Sequence, residues 1–508
     1  MNDWNAGYVT EIEYTYGYYP DLNPARARLA LLDAGYAAPE TLAACELGYG
    51  QGLSVNFHAA GSDVEWHGTD FNPAQASFAR ELAAASGSSA ELYDDAFEEY
   101  ANRTGLPDFD FIGLHGIWTW VSEDNRNVIA NFIRKKLRPG GVLYVSYNTL
   151  PGWAAYSPMR HLMKEHAKVM GAGGRGIADL GLEAIDFAEK LLATNPLYSA
   201  ANPQVRERVE ALRGQNRHYL AHEFFNSEWR PVQFFEIAKK LQGAKMNFAC
   251  PANLLDHVDA INLTQQQRSF MNEIPDPVFR ESVRDFMVNQ NFRKDYWVKG
   301  ARKLSRHDQI EALKNLRFVL VKNREDVSLR VSGVLGEATM NESVYNPLLD
   351  LLADHKPKSI CDIEDALKIP FQQIQQAAVV LVGAGHLQPA QSEEDIDKAG
   401  KKTERLNAHL CARSKGSGDI GCLVSPVTGE AYKVGRIQQL FLLAISEGKK
   451  KPEEWTRHAW EVLDSQGDRI LMDGRAIESP EDNLKELNLQ ARIFAEKLLP
   501  ILKALRIA

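Results

Sequence analysis

The chain has 508 residues, 44% hydrophobic and 25% charged, a globular balance whose length is read as about three or four domains. Its formal net charge of −9 is uneven: residues 1–150 carry 9 Lys+Arg against 20 Asp+Glu, and the remainder is close to neutral. An acidic leading region disfavours nucleic acid as a partner and favours neutral or basic ones, and no apolar run reaches the length of a membrane span.

Residues 1–5 have neither a basic region nor an apolar core, so no secretory signal is read there and a cytoplasmic location is expected. The five cysteines, at 45, 250, 361, 411 and 422, show no metal spacing, so a reduced compartment and no metal site are expected. The first 24 residues hold a dense aromatic set: Trp4, Tyr8, Tyr14, Tyr16, Tyr18 and Tyr19. These suit either a staple of the N-terminus to the core or a lid over a ligand.

An apolar approach, Leu42-Ala43-Ala44, runs into Cys45-Glu46-Leu47-Gly48-Tyr49-Gly50-Gln51-Gly52 and a helix start at Ser54. Glycines there let the backbone turn sharply and approach a flat ligand. The third glycine comes too early for a dinucleotide fingerprint, so the layout suits a nucleoside without a pyrophosphate. Asp70, after a strand over residues 64–69, follows Gly50 at the spacing of a ribose-binding carboxylate. Asp94-Asp95-Ala96-Phe97 follows a short third strand. An acid followed by a small and an aromatic residue can hold an adenine amino group and cover its ring. Residues 109–115 read as a buried strand, and residues 137–146 as a helix end, a turn and another strand. Strands separated by helical patterns predict an α/β, doubly wound Rossmann-like sheet with ligand at the carboxyl ends of its strands.

His115-Gly116-Ile117-Trp118-Thr119-Trp120-Val121 and Ser146-Tyr147-Asn148-Thr149-Leu150-Pro151-Gly152-Trp153 are specific motifs. With them the chain resembles class I S-adenosylmethionine-dependent methyltransferases that carry a methyltransferase regulatory domain. Tyr219-Leu220-Ala221-His222-Glu223-Phe224, Asp285-Phe286-Met287 and Asn291-Phe292-Arg293 resemble that regulatory domain. The resemblance covers roughly residues 8 to 300 and includes bacterial protein lysine methyltransferases that modify outer-membrane proteins. Gln51 stands where the family often has an acid. The resemblance implies S-adenosylmethionine as cofactor, with Glu46 toward its methionine amino end, Asp70 on the ribose hydroxyls and Asp95 on the adenine amino group. Tyr14, Tyr18, Gly48, Tyr49, Gly50, Phe71, Ala96, Phe97, His115, Gly116 and Trp120 complete the implied cofactor set. His115, Tyr147 and Asn148 are the implied catalytic group, with Trp118 as a further wall, around the transferred methyl. Cys45, inside a strand, is read as small and apolar rather than as a nucleophile.

The rest of the chain reads as appended domains. The methyltransferase domain is placed at 1–170, a helical regulatory or middle domain at 171–330, a winged-helix-like domain at 331–395 and a mainly helical domain at 396–508. Gly171 to Gly176 reads as a flexible joint. Residues 345–353, 360–367 and 371–382 are helical patterns, and the last has no Lys or Arg, which speaks for protein contact over DNA. Residues 391–403 read as a charged linker. A final helix, capped by Ser479, carries Leu484, Leu487, Ala491, Phe494, Leu498 and Leu505, a stripe for a core or a homodimer seam. Three functions compete: a methyltransferase acting on a protein side chain, lysine foremost; an oxygen or nitrogen methyltransferase acting on a glycan or small molecule; and a non-catalytic cofactor-binding scaffold. The first has a protein substrate as partner. Under it a chain ending near residue 340 would keep cofactor binding and lose methylation of a protein.

Overall fold

The computed structural model describes residues 15–171, 177–215, 220, 226, 228–472 and 475–508. Its centre is a seven-stranded sheet in the order β3-β2-β1-β4-β5-β7-β6. The strands are β1 (Ala43–Leu47), β2 (Glu65–Thr69), β3 (Glu91–Tyr93), β4 (Phe109–Leu114), β5 (Leu137–Asn148), β6 (Met246–Pro251) and β7 (Phe292–Lys299). The first five run parallel, β7 is antiparallel to β5, and β6 is antiparallel to β7.

The parallel strands are covered on both faces, so their side chains divide between two cores. Ala44, Trp66, Phe111, Tyr144 and Tyr296 enter one. Cys45, Ile112, Leu143, Tyr147 and Trp297 enter the other. Helices α1 (Pro24–Asp33), α2 (Leu53–Gly61) and α3 (Pro73–Ser86) pack on the first side; α4 (Phe97–Asn102) and α5 (Glu123–Lys136) pack on the second. All nine residues of α2 are buried. Val55 and Ala59 face the sheet core, while Leu53, Phe57 and Ala60 join the core of the C-terminal region. A helix apolar all round is one buried on all sides.

Expectations change for 171–330 and for 391–403, and for the C-terminal stripe the core alternative holds. The segment 171–330 is not wholly helical: it supplies β6 and β7. The edge of β5 would otherwise present unpaired backbone groups, and Tyr296-Trp297-Val298, all buried, give β7 an apolar filling for both faces. The expected linker over 391–403 is the start of the helix Glu393–Arg413, capped by Ser392. Ile396, Ala399, Thr403, Leu406 and Leu410 are buried at helical spacing, and the charges that suggested a linker occupy the opposite face. The C-terminal stripe is spent internally: Leu487, Ala491, Phe494 and Leu505 are buried in their own core. The expected final helix is divided: Pro480–Ile493 begins at Ser479, whose side chain accepts from the Asp482 N–H, and a π turn over Phe494–Leu498 leads into the helix Leu499–Ala504.

Residues 172–176 of the expected joint lie outside the described residues. Beyond it, Ile177–Ala193, Leu197–Ala201 and Gln204–Ala211 are helices that build a small core with Trp153, Tyr156, Met159 and Met163. Helices Glu342–Leu351, Ile360–Leu367 and Phe371–Gly383 pack beside a three-stranded antiparallel sheet of Lys358–Ser359, Arg317–Leu320 and Leu387–Ala390. Among the described residues, no helix is long and apolar enough to cross a membrane.

Candidate active site

The β1–α2 turn is held open by glycines in the left-handed region: Gly48, Gly50 and Gly52 have φ of 72°, 57° and 73°. A Cβ on Gly48 would lie 2.4 Å from Ile117 Cδ1, so the turn can approach the loop after β4 only as glycine. Asp70, at the end of β2, locks this turn. One carboxylate oxygen accepts from Gly50 N–H at 2.8 Å and the other from Asn72 N–H at 3.1 Å. Burial pushes its pKa up to about 6.

Glu46 is 2% exposed, and its Oε2 has no hydrogen-bond partner. Burial first, and the Asp70 charge second, hold its pKa well above the usual carboxylate range. A buried carboxylate oxygen without a donor is costly and suits a cationic ligand. Asp95 is braced from outside, its two oxygens accepting from Arg103 at 2.7 and 2.9 Å. Cys45 is buried, with burial raising its thiol to about 12, so it is no nucleophile.

On the other side of the turn, His115 follows β4. Its Nδ1 lies 2.8 Å from the Tyr144 hydroxyl. Burial, then the Lys294 charge, lowers its pKa to about 3, so the ring is neutral at physiological pH. Gly116 N–H donates to Ser146 Oγ at 2.8 Å. The Tyr19 ring stacks on the imidazole, centroids 3.6 Å apart.

A cavity of about 550 Å³ joins these groups. It brings together Glu46, Gly48, Tyr49, Gly50, Asp70, Phe71, Asp95, Ala96, Phe97, His115, Gly116, Trp120 and Asn148. Three expected members are elsewhere. Tyr147 is fully buried in the core beneath, its hydroxyl donating to Asp295 Oδ2 at 2.6 Å. Tyr144, Ser146 and Asn148 point toward the site, so Tyr147, one residue out of phase on the same strand, must point away. Tyr18 packs on Phe57 and His58 in the C-terminal core. Trp118, 2% exposed, is likewise core. Tyr14 lies outside the described residues.

The cavity also takes residues not singled out as ligands. Tyr19, Thr15 and Gly17 come from the N-terminal segment. Trp153, Asn226, Glu228, Asn291 and Phe292 extend its far wall. Trp153 and Asn291-Phe292 stood inside the quoted motifs, which was their one signal. Nothing local predicts that residues 226 and 228 return to the end of β5.

Residues 216–299 match the family model described as a predicted methyltransferase regulatory domain. That stretch contains β6 and β7, so it completes the catalytic sheet as well as contributing to the cavity wall. PKMT2 from Rickettsia typhi, solved in complex with AdoHcy, superposes with a TM-score of 0.68 at 17% identity, over 97% of this chain and 99% of that one. Fold, site and matched domain define a class I S-adenosylmethionine-dependent methyltransferase with a regulatory domain. The chain belongs to one family with the uncharacterized protein sll1526 of Synechocystis, at 38% identity over 99% of this chain and 100% of that protein. It is also similar to the uncharacterized protein RP789 of Rickettsia prowazekii, 24% identical over 66% of each chain.

Proposed function

We propose that this enzyme methylates a lysine side chain of a protein. The observation that carries the reading is the far wall of the cavity. Trp120 and Trp153 give it aromatic faces, Asn148, Asn226 and Asn291 give it carboxamides, and Glu228 adds a carboxylate. Its described lining holds no Lys or Arg. Aromatic faces and a carboxylate attract an alkyl ammonium, whereas such a wall has little to offer a phosphate or carboxylate acceptor. The likeness to PKMT2 points the same way.

The near half of the cavity fits S-adenosylmethionine, which supplies a methyl group activated on a sulfonium sulfur. Glu46, with its unpaired Oε2, would take the amino group, and Asp70 the ribose hydroxyls. Asp95, Ala96 and Phe97 would hold and cover the adenine. Gly48, Gly50 and Gly116 would let backbone approach, while Tyr49, Phe71 and Trp120 would enclose the rest. No covalent nucleophile is needed: the residues orient the partners and exclude water. His115, neutral and hydrogen-bonded to Tyr144, would contribute a fixed edge of the site rather than a strong base. The amine must be neutral when it attacks: the aromatic faces and Glu228 draw it in as an ammonium, and desolvation on entry lowers its pKa so that the proton can leave to water.

The test is transfer of radiolabelled methyl from S-adenosylmethionine into a bacterial lysate by the full chain. Label is expected in protein, and acid hydrolysis should release it as methylated lysine. Label confined to glycan or small molecules would replace this reading with the second one. A chain that binds the cofactor yet labels nothing would favour the scaffold.

A further inference from the structure

Residues 15–19 run without regular structure into the short 3₁₀ turn Pro20–Leu22, and Tyr19 has extended geometry at φ −122° and ψ 101°. In an extended chain, successive side chains point to opposite sides. Here Thr15, Gly17 and Tyr19 line the cavity, and Tyr16 and Tyr18 pack against the C-terminal core. Tyr16 meets Phe78 edge-on at 5.4 Å, and Tyr18 lies 5.7 Å from Phe57 and 5.3 Å from His58. The Tyr19 ring covers His115, and its N–H donates to Ser54 Oγ at 2.9 Å. Gly17 is what lets the ring lie there: a Cβ would fall 2.5 Å from the Tyr19 hydroxyl.

The C-terminal region also grips the chain just beyond this strap. Arg26 pairs with Glu430 at 3.2 Å, and the Glu430 side chain is fully buried. Asn23 Nδ2 donates to the Gly429 carbonyl at 3.3 Å, and Gln391 Nε2 to the Gly61 carbonyl at 2.7 Å.

We infer that Tyr16 and Tyr18 are positioning residues for the cofactor site: anchored in the core that α2 and α3 share with the C-terminal region, they hold Tyr19 over His115. The inference rests on the reading of this cavity as the S-adenosylmethionine site. Through that shared core the C-terminal region then supports the cofactor site without lining it. The alternation makes this a mechanical link. A strap whose even side chains are fixed on one side presents its odd side chains in a fixed register on the other.

Calorimetric titration of the full chain with S-adenosylmethionine tests it, alongside melts of the unliganded proteins. Tyr16→Ala and Tyr18→Ala should each weaken binding by about tenfold or more, with cooperative melting retained. Tyr16→Phe and Tyr18→Phe keep the rings and should bind within about threefold of wild type. Gly17→Ala removes no side chain but pushes Tyr19 aside, and should reproduce the loss. Alanine variants that bind like wild type overturn the inference, as does a Gly17→Ala protein with unchanged affinity. If an alanine variant does not fold, Gly17→Ala decides alone. A wild-type chain that fails to bind the cofactor removes the underlying reading; a wild type that binds beside indifferent variants removes the strap alone.

Discussion

Glu46 shows how one residue sets stability against function. Its folded pKa is raised, so the folded chain holds that proton more tightly than the unfolded one. Stability present at low pH is therefore lost as pH rises past the unfolded value toward the folded one. Glu46→Gln removes the buried charge and keeps the shape. The unliganded variant is expected to melt above wild type at pH 8, and the gap should close on acidification, when wild-type Glu46 takes up a proton itself. Cofactor affinity should fall by about 10–100-fold, since a charge-assisted hydrogen bond contributes about 1.5–3 kcal/mol. Melts across pH, with titration of the cofactor at pH 8, measure both. A variant that melts lower than wild type and binds equally well would show that Glu46 is a structural acid.

At the scale of elements, β7 carries the second buried charge system. Arg293 meets Asp285 at 2.6 Å, Asp295 at 3.0 Å and Glu281 at 3.0 Å, under the Phe234 ring at 4.2 Å. Three acids around one guanidinium leave net negative charge, and burial pushes Asp285 up to about 7. Arg293→Met should cost about 3–5 kcal/mol at pH 8, because breaking a buried pair strands the other charge. The loss should shrink near pH 5.5, where the raised carboxylates bind protons; denaturant melts at the two pH values check it, and equal losses would mean that packing, not charge, holds β7. The neighbouring Asn291 and Phe292 line the cavity, so this network also steadies its far wall. Its partners explain what could be read in advance. Glu46, Asp70 and Asp95 sit at strand ends in fixed relation to the glycine turn, so their side of the site was legible from spacing. Tyr147 and Tyr18 were not, because a motif names neighbours without saying which face each takes. The phase of an extended segment is set by what packs on it, and for Tyr18 that is Phe57 and His58 of α2 within a core shared with the C-terminal region. β6 and β7 were hidden for a related reason: β7 pairs with the distant β5, Phe292 opposite Asn148, and β6 pairs in turn with β7.

For the whole molecule, the issue is whether the cofactor half can stand alone. The domain reading suggested that a chain ending near residue 340 keeps its cofactor. The packing argues the reverse. Leu53, Phe57 and Ala60 of α2 and Leu82 of α3 are buried in the core built by residues beyond 390. Exposing each large side chain costs about 1.5–3 kcal/mol, and a domain's total stability is only about 5–15 kcal/mol. The same cut removes Glu430 and leaves Arg26 without its buried carboxylate, and it strips the C-terminal part of the core around Tyr16 and Tyr18, leaving them Phe57, His58 and Phe78 on helices that have themselves lost their packing. α2 opens directly from the glycine turn, so loosening it loosens Gly48, Gly50 and the Asp70 lock on Gly50. A chain truncated at residue 340 is therefore expected to bind S-adenosylmethionine at least about 100-fold more weakly than the full chain, or not at all. Calorimetry with circular dichroism as a folding control measures it. A truncated chain that folds and binds with full affinity would return the C-terminal region to the single role of selecting the acceptor.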